Sequence, residues 1–189
     1  MRGLIRRFDG FLRKAYGVYE FCDDPECLLR IRVIPAPHAL AVEGGQVPAG
    51  AAVIELHLWN EHIPPIPRAG PTLAWAIQFQ RLVIASFRQL AAHMARDPRL
   101  AGVAAVFGVT VLISPGGDSG GEKLFRRLGF AVGPYHSPLG RFGEFWENFY
   151  SWGIIWAFND VSLRQRRLLG LCRHEVWLSA LEFLRRYGA

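Results

Sequence analysis

The stretch Ala52-Val-Ile-Glu-Leu-His-Leu-Trp-Asn-Glu-His62 constrains the fold most, because its period-two alternation suits a strand and no amphipathic helix. Ile54, Leu56 and Leu58 then share the core side, and Val53, Glu55, His57 and Trp59 share the other. Glu55 and His57 become neighbours on one face, about 7 Å apart along the strand. Asn60, Glu61 and His62 follow where the strand ends in a polar corner. No other stretch sets two glutamates and two histidines so close together. Glu55 and His57 are therefore the candidate catalytic pair, and Asn60, Glu61 and His62 are candidate ligand-binding residues.

A chain of 189 residues with 51% apolar content can bury one sizeable core and is too apolar to be disordered. Its net charge of +6 is unevenly placed. Arg2, Arg6, Arg7, Arg13 and Lys14 against Asp9 give the first 17 residues +4, and residues 162–189 carry the same excess. Three cysteines, Cys22, Cys27 and Cys172, are an odd number at no zinc spacing, which points away from a disulfide framework or a metal site. With no export signal in the first residues, the expected location is the cytoplasm. The longest apolar run, Leu100 to Ile113, falls short of the roughly 20 residues that a membrane helix needs.

In chain order, residues 2–17 read as an amphipathic helix with Leu4, Ile5, Phe8, Phe11, Leu12 and Ala15 on one stripe and cations opposite. Residues 27–34 read as a strand ended by Pro35 and Pro37, and residues 39–42 as a second. Residues 43–46 supply the turn before the strand described above. Thr72 caps a long helix reaching about Arg96, whose stripe is Ala76, Phe79, Val83, Phe87, Leu90 and Met94. Residues 103–113 read as a buried strand, followed by a glycine-rich connection over 114–121. A short helix over 122–128 ends at Gly129, and a last strand begins at Phe130. The aromatic spacing Phe142, Phe145, Trp146, Phe149, Tyr150, Gly153 and Trp156 predicts a helix that docks on something apolar. A capping box, Ser162 with Gln165, predicts a further helix running to about Tyr187. The expected organisation is an α/β core over residues 1–140, including the N-terminal helix, with a helical annex over 141–189 packed on the same unit.

The order helix, three strands, long helix, strand, short helix, strand matches the core of the N-acetyltransferase superfamily. Lys123-Leu-Phe-Arg-Arg-Leu-Gly-Phe130 resembles that superfamily's late helix with its Leu-Gly-Phe turn. The resemblance implies an acetyltransferase-like mixed β-sheet flanked by helices. It carries the chemistry poorly. Where the superfamily cradles the coenzyme A pyrophosphate with backbone N–H groups, this chain has Ile66-Pro-Arg-Ala-Gly-Pro71, whose prolines lack a donor. The general-acid tyrosine of the late helix aligns with Phe125, which has no proton to give. No cofactor is therefore expected, and acetyl-coenzyme A is disfavoured.

A second resemblance covers roughly residues 20–135. Gly50 to Asn60 with its Glu55-Leu-His57 core, Leu73-Ala-Trp-Ala76, Ser86 to Ala91, Gly108-Val-Thr110 and Leu128-Gly-Phe130 resemble the bacterial YkoP-like domain. That family is found alone and appended to polysaccharide deacetylases. The resemblance implies a link to the cell envelope and no mechanism, and it adds Thr110 to the candidate ligand-binding residues.

Three roles follow. A non-catalytic or small-ligand-binding domain would use the Glu55–His57 cleft. An acyltransferase would use Glu55 or His57 as general base. A peripheral membrane or partner-docking protein would use the two basic ends against an anionic surface at the inner face of the membrane. Nucleic acid is not an expected partner, because the arginines are not interleaved with aromatics in any known module. His57, His62 and Glu61 offer metal-ligand types without a metal-ligand spacing, so no metal is expected.

Overall fold

A computed structural model of the chain describes residues 2–42, 45–111, 120–158, 160–163 and 172–188. Its elements are α1 (Arg2–Ala15), β1 (Leu29–Pro35), β2 (Leu40–Val42), β3 (Gly45–Val47), β4 (Ala52–Leu58), α2 (Leu73–Arg96), β5 (Ala105–Thr110), α3 (Gly120–Arg127), β6 (Ala131–Pro134), α4 (Gly140–Phe158), β7 (His174–Ser179) and α5 (Ala180–Tyr187). Five strands form a mixed sheet in the order β1-β4-β5-β7-β6, and β2 and β3 pair as a separate hairpin. β4 and β5 run parallel, and every other pairing is antiparallel. Parallel neighbours need a long crossover, and α2 supplies it.

The main core lies between one face of the sheet and the helices α2, α3 and α5. Thr72 caps α2 by accepting a hydrogen bond from the Trp75 amide at 3.2 Å. The buried stripe of α2 begins at Phe79, one turn later than Ala76, which is exposed. Ser86 in that stripe accepts the Leu28 amide at 2.8 Å and donates to the Leu82 carbonyl at 2.7 Å, tying the start of β1 to the helix. Phe87 packs against the rings of Phe130, Phe183 and Tyr187 at 5.0–5.5 Å. Gly129, at φ 91°, ends α3 with the paired bonds Gly129 N–H to Arg126 and Phe130 N–H to Phe125, a left-handed cap that favours glycine.

The sequence places a helix from Ser162 to Tyr187, and the structure differs. Gln165 lies outside the described residues, while His174–Ser179 is an inner strand between β5 and β6. Its alternation gives the reason: Val176 and Leu178 enter the main core, and Glu175 and Trp177 point to the other face. The helix starts afresh at Ser179, whose hydroxyl accepts the Glu182 amide at 3.2 Å. α4 is thus a helical addition, after which the chain returns to the sheet. The strand expected over 103–113 is pairing over Ala105–Thr110, and the glycine-rich run from 112 to 119 and the turn residues 43 and 44 lie outside the described residues.

α1 is a second departure. The expected apolar stripe does not pack inward: Asp9 is 5% exposed, while Phe8 and Phe11 are 54% and 67% exposed. The part of the sheet nearest its C-terminus carries Arg30, Arg32, Glu55 and His57, so it presents no apolar seat. α1 instead packs beside α4, where the Tyr150 hydroxyl donates to Asp9 at 2.6 Å and Arg6 donates to the Ala157 carbonyl at 3.0 Å.

Because β7 is an inner strand, a chain ending at residue 171 is expected to lose cooperative unfolding in urea. Phe183→Ala in the full chain is expected to keep it while lowering stability by about 3–5 kcal/mol.

Candidate functional site

Registers across the sheet place two rows of side chains on the face opposite α2. One row runs Arg32, Glu55, Phe107, Trp177 and Ala131; beyond it Arg30 pairs with His57, and Val109, Glu175 and Gly133 form a separate row on the β6 side of the sheet. Glu55 and His57 are therefore neighbours, as their spacing implies. Thr110 is not with them. It sits two residues beyond Gly108, which pairs with Leu56, so the pleat turns it to the α2 face.

Glu55 is buried and fully engaged. It accepts a hydrogen bond from Arg32 Nε, and His57 Nε2 lies 3.3 Å from the same carboxylate oxygen. Burial alone would push its carboxyl up, but the contacts with His57 and Arg32 and their charges outweigh that and hold it below the usual carboxylate range. A carboxylate held ionised in this way is a weak proton acceptor. It faces the imidazole of His57, whose Nε2 is sealed from solvent without a well-formed hydrogen bond while the side chain as a whole is one-third exposed.

The residues after β4 serve a different purpose. Glu61 accepts from Arg30 at 3.2 Å and pairs with Arg13 at 3.5 Å. Arg30 also reaches Glu20 at 2.9 Å and lies over the Trp59 ring at 4.3 Å. His62 stacks on Trp59 at 3.8 Å and its Nδ1 lies 2.8 Å from the Cys27 carbonyl. These contacts lock the corner after β4 onto β1 and α1. Asn60 is half-buried in the turn between them.

Pairing of β4 with β5 stops at Leu56 opposite Gly108, two residues before either strand ends. The parallel strands thus diverge on the side where α2 begins, a position where α/β sheets commonly receive ligands. In Ile66–Pro71, which aligns with the superfamily's phosphate cradle, the Gly70 amide is taken by the Pro67 carbonyl at 2.8 Å, and at the start of α2 the Trp75 amide is taken by Thr72. Phe125 packs against Phe130 at 6.2 Å in the main core. Burial, with hydrogen bonding to Cys27, pushes the Cys22 thiol up to about 12, so it offers no thiolate at neutral pH.

The same face holds a cleft that sequence reasoning missed. About 510 Å³ in volume, it opens between the β2–β3 hairpin and the edge formed by β6 and β7, and His38, Ala41, Gly133, His136, Glu175 and Trp177 help to line it. The Glu175 carboxylate is 5% exposed and accepts from Trp177 Nε1 at 2.9 Å, with His38 Nε2 at 3.1 Å. The His38 ring stands edge-on to Trp177 at 5.8 Å, and Trp177 packs on Phe107 at 4.1 Å. Among the described residues, no three metal-ligating side chains converge.

The lowered Glu55 carboxyl contributes stability that is present above the unfolded-chain value of about 4.3 and is lost as pH falls through its lower folded value. Urea titrations at stepped pH should therefore show a shallower acid-side loss for Glu55→Gln than for the wild type. Arg32→Ala should destabilise at pH 7 by somewhat less than the about 3–5 kcal/mol typical of a fully buried pair, because Arg32 is a quarter exposed.

No curated protein matches the chain, and no solved structure does. A family model described as the YkoP domain matches residues 9–187, which takes in α1 from Asp9 and every later element to α5. That span includes both the Glu55–His57 pair and the Glu175 cleft, and it shows that the chain belongs to the YkoP domain family.

Proposed function

We propose that this YkoP domain is a non-catalytic small-ligand-binding module, connected with cell-envelope polysaccharide metabolism, and that its ligand is a sugar carrying an amino group. The observation that carries the reading is the contrast between two buried carboxylates on one face. Glu55 is matched by the permanent cation of Arg32. Among the described residues, Glu175 has only an indole N–H and the imidazole of His38 as partners, and it lies in the wall of a cleft. A buried carboxylate without a permanent cation favours a ligand ammonium or hydroxyl that completes its hydrogen bonds. The cleft volume falls in the usual range for small-molecule sites, and Ala41, Ala131 and Gly133 leave room for a ligand ring to approach the sheet. His38 and His136 supply further polar groups from opposite walls. The envelope connection rests on the family.

A second reading, an acyltransferase, draws on the divergence of β4 from β5 and on His57 lying beside the Glu55 carboxylate. In that reading His57 is the general base and Glu55 orients it. The engaged amides of Gly70 and Trp75 weigh against a pyrophosphate at the start of α2.

The two readings separate in one thermal-shift series, since a ligand that binds only the folded protein raises Tm. Glucosamine is expected to raise it in the wild type and in His57→Asn, and the rise is expected to vanish in Glu175→Gln. A dose-dependent rise with acetyl-coenzyme A that His57→Asn abolishes would overturn the binding-module reading in favour of the acyltransferase. A glucosamine response unchanged in Glu175→Gln would remove the cleft assignment.

A further inference from the structure

α1 and α4 turn their most apolar stripes to the outside. On α4, Phe142, Phe145 and Phe149 stand edge-to-face around Trp146 at 5.4–6.3 Å, and all four rings are 43–67% exposed. Leu139, just before the helix, is also exposed. On α1, Phe8 and Phe11 face outward while Asp9 is turned in to meet Tyr150. So many exposed aromatic side chains on two touching helices exceed the scattered apolar residues of an ordinary surface.

Charge indicates what covers them. At 100° per residue, Arg7 and Lys14 fall on the same side of α1 as Phe11, flanking the aromatic stripe. Both are exposed, and among the described residues neither has an ion partner. On α5, by contrast, Arg185 and Arg186 are both paired with Glu182. Among the described residues, Arg7 and Lys14 thus place unpaired positive charge beside the exposed aromatics. Against a second copy of the same face, α1 would meet its own cations. Against anionic headgroups, the same cations are attracted.

We propose that the aromatic face of α1 and α4 seats on an anionic lipid bilayer. Phenylalanine and tryptophan with flanking arginine and lysine are the composition of helices that lie in the plane of a membrane interface. No described helix is long and apolar enough to cross a membrane. The rings enter the headgroup boundary, and Arg7 and Lys14 reach the phosphates beside them. This surface is separate from the Glu175 cleft and does not depend on what the cleft binds.

Vesicle flotation of the full chain tests the proposal with phosphatidylglycerol-rich and pure phosphatidylcholine vesicles. Binding is expected to the former, weakened by raised salt. Arg7→Gln with Lys14→Gln should weaken it about 25-fold, since each cation near such a surface strengthens binding about fivefold. Phe11→Ser with Trp146→Ser should weaken it about tenfold or more. All four side chains are exposed, so an unchanged Tm confirms that each variant is folded. Absence of wild-type binding, equal binding to both vesicles, or flotation unaffected by the aromatic variant would overturn the proposal. So would a dimer in sedimentation velocity that the aromatic variant dissolves, which would assign the face to a second copy.

Discussion

β7 holds the molecule together. β5 and β6 have no hydrogen bonds to one another, and each is completed by the strand between them. The alternation His174-Glu-Val-Trp-Leu-Ser179 sends Val176 and Leu178 under α2 and α5, and sends Glu175 and Trp177 to the opposite face. The same six residues therefore close the main core and build the cleft. Ser179 then starts α5 with no loop between, which sets Phe183 and Tyr187 against Phe87. A short strand can do this because each inner strand spends both edges on pairing and both faces on packing.

The two faces of the sheet follow different rules. Under α2 the side chains are apolar and hydrogen bonding is confined to ties such as Ser86 with Leu28. On the other face, charge must be matched locally, because burial penalises any carboxylate left alone. Glu55 is matched by Arg32, and Glu61 by Arg30 and Arg13. The polar matching around β1 and β4 denies α1 an apolar seat, so α1 takes its place beside α4 and its aromatic stripe stays outside. The buried charge on the sheet and the exposed aromatics on the helices are consequences of one constraint.

Membership of the YkoP family frames these features without assigning them a reaction. The Glu55–His57 pair sets an imidazole beside a carboxylate held by Arg32, and the Glu175 carboxylate in the cleft meets the Trp177 indole and the His38 imidazole.

Much of the fold was legible in local patterns. Period-two alternation located β1 and β4, the cap and stripe located α2, and Leu128-Gly-Phe130 marked the end of α3, because each of these is decided by neighbours along the chain. The adjacency of Glu55 and His57 is likewise a property of one strand. What tertiary structure decided was every relation between strands. Thr110, a candidate ligand-binding residue, lies on the α2 face and not beside Glu55 and His57, since the register with β4 sets its side. Glu61 and His62 are ordinary candidates by residue type, yet Arg30, Arg13 and Trp59 absorb them. β7 was read as helix because Ser162 and Gln165 resemble a cap, although the alternation of Glu175 and Trp177 with Val176 and Leu178 was there to be seen. His38, His136 and Glu175 lie far apart in sequence and meet only when β7 enters the sheet beside β6. The chain's own residues thus determined its elements and its nearest-neighbour chemistry. Pairing order and register determined which charges were matched, which carboxylate met only an indole and an imidazole among the described residues, and which apolar stripe remained outside, because those depend on distances that no local pattern contains.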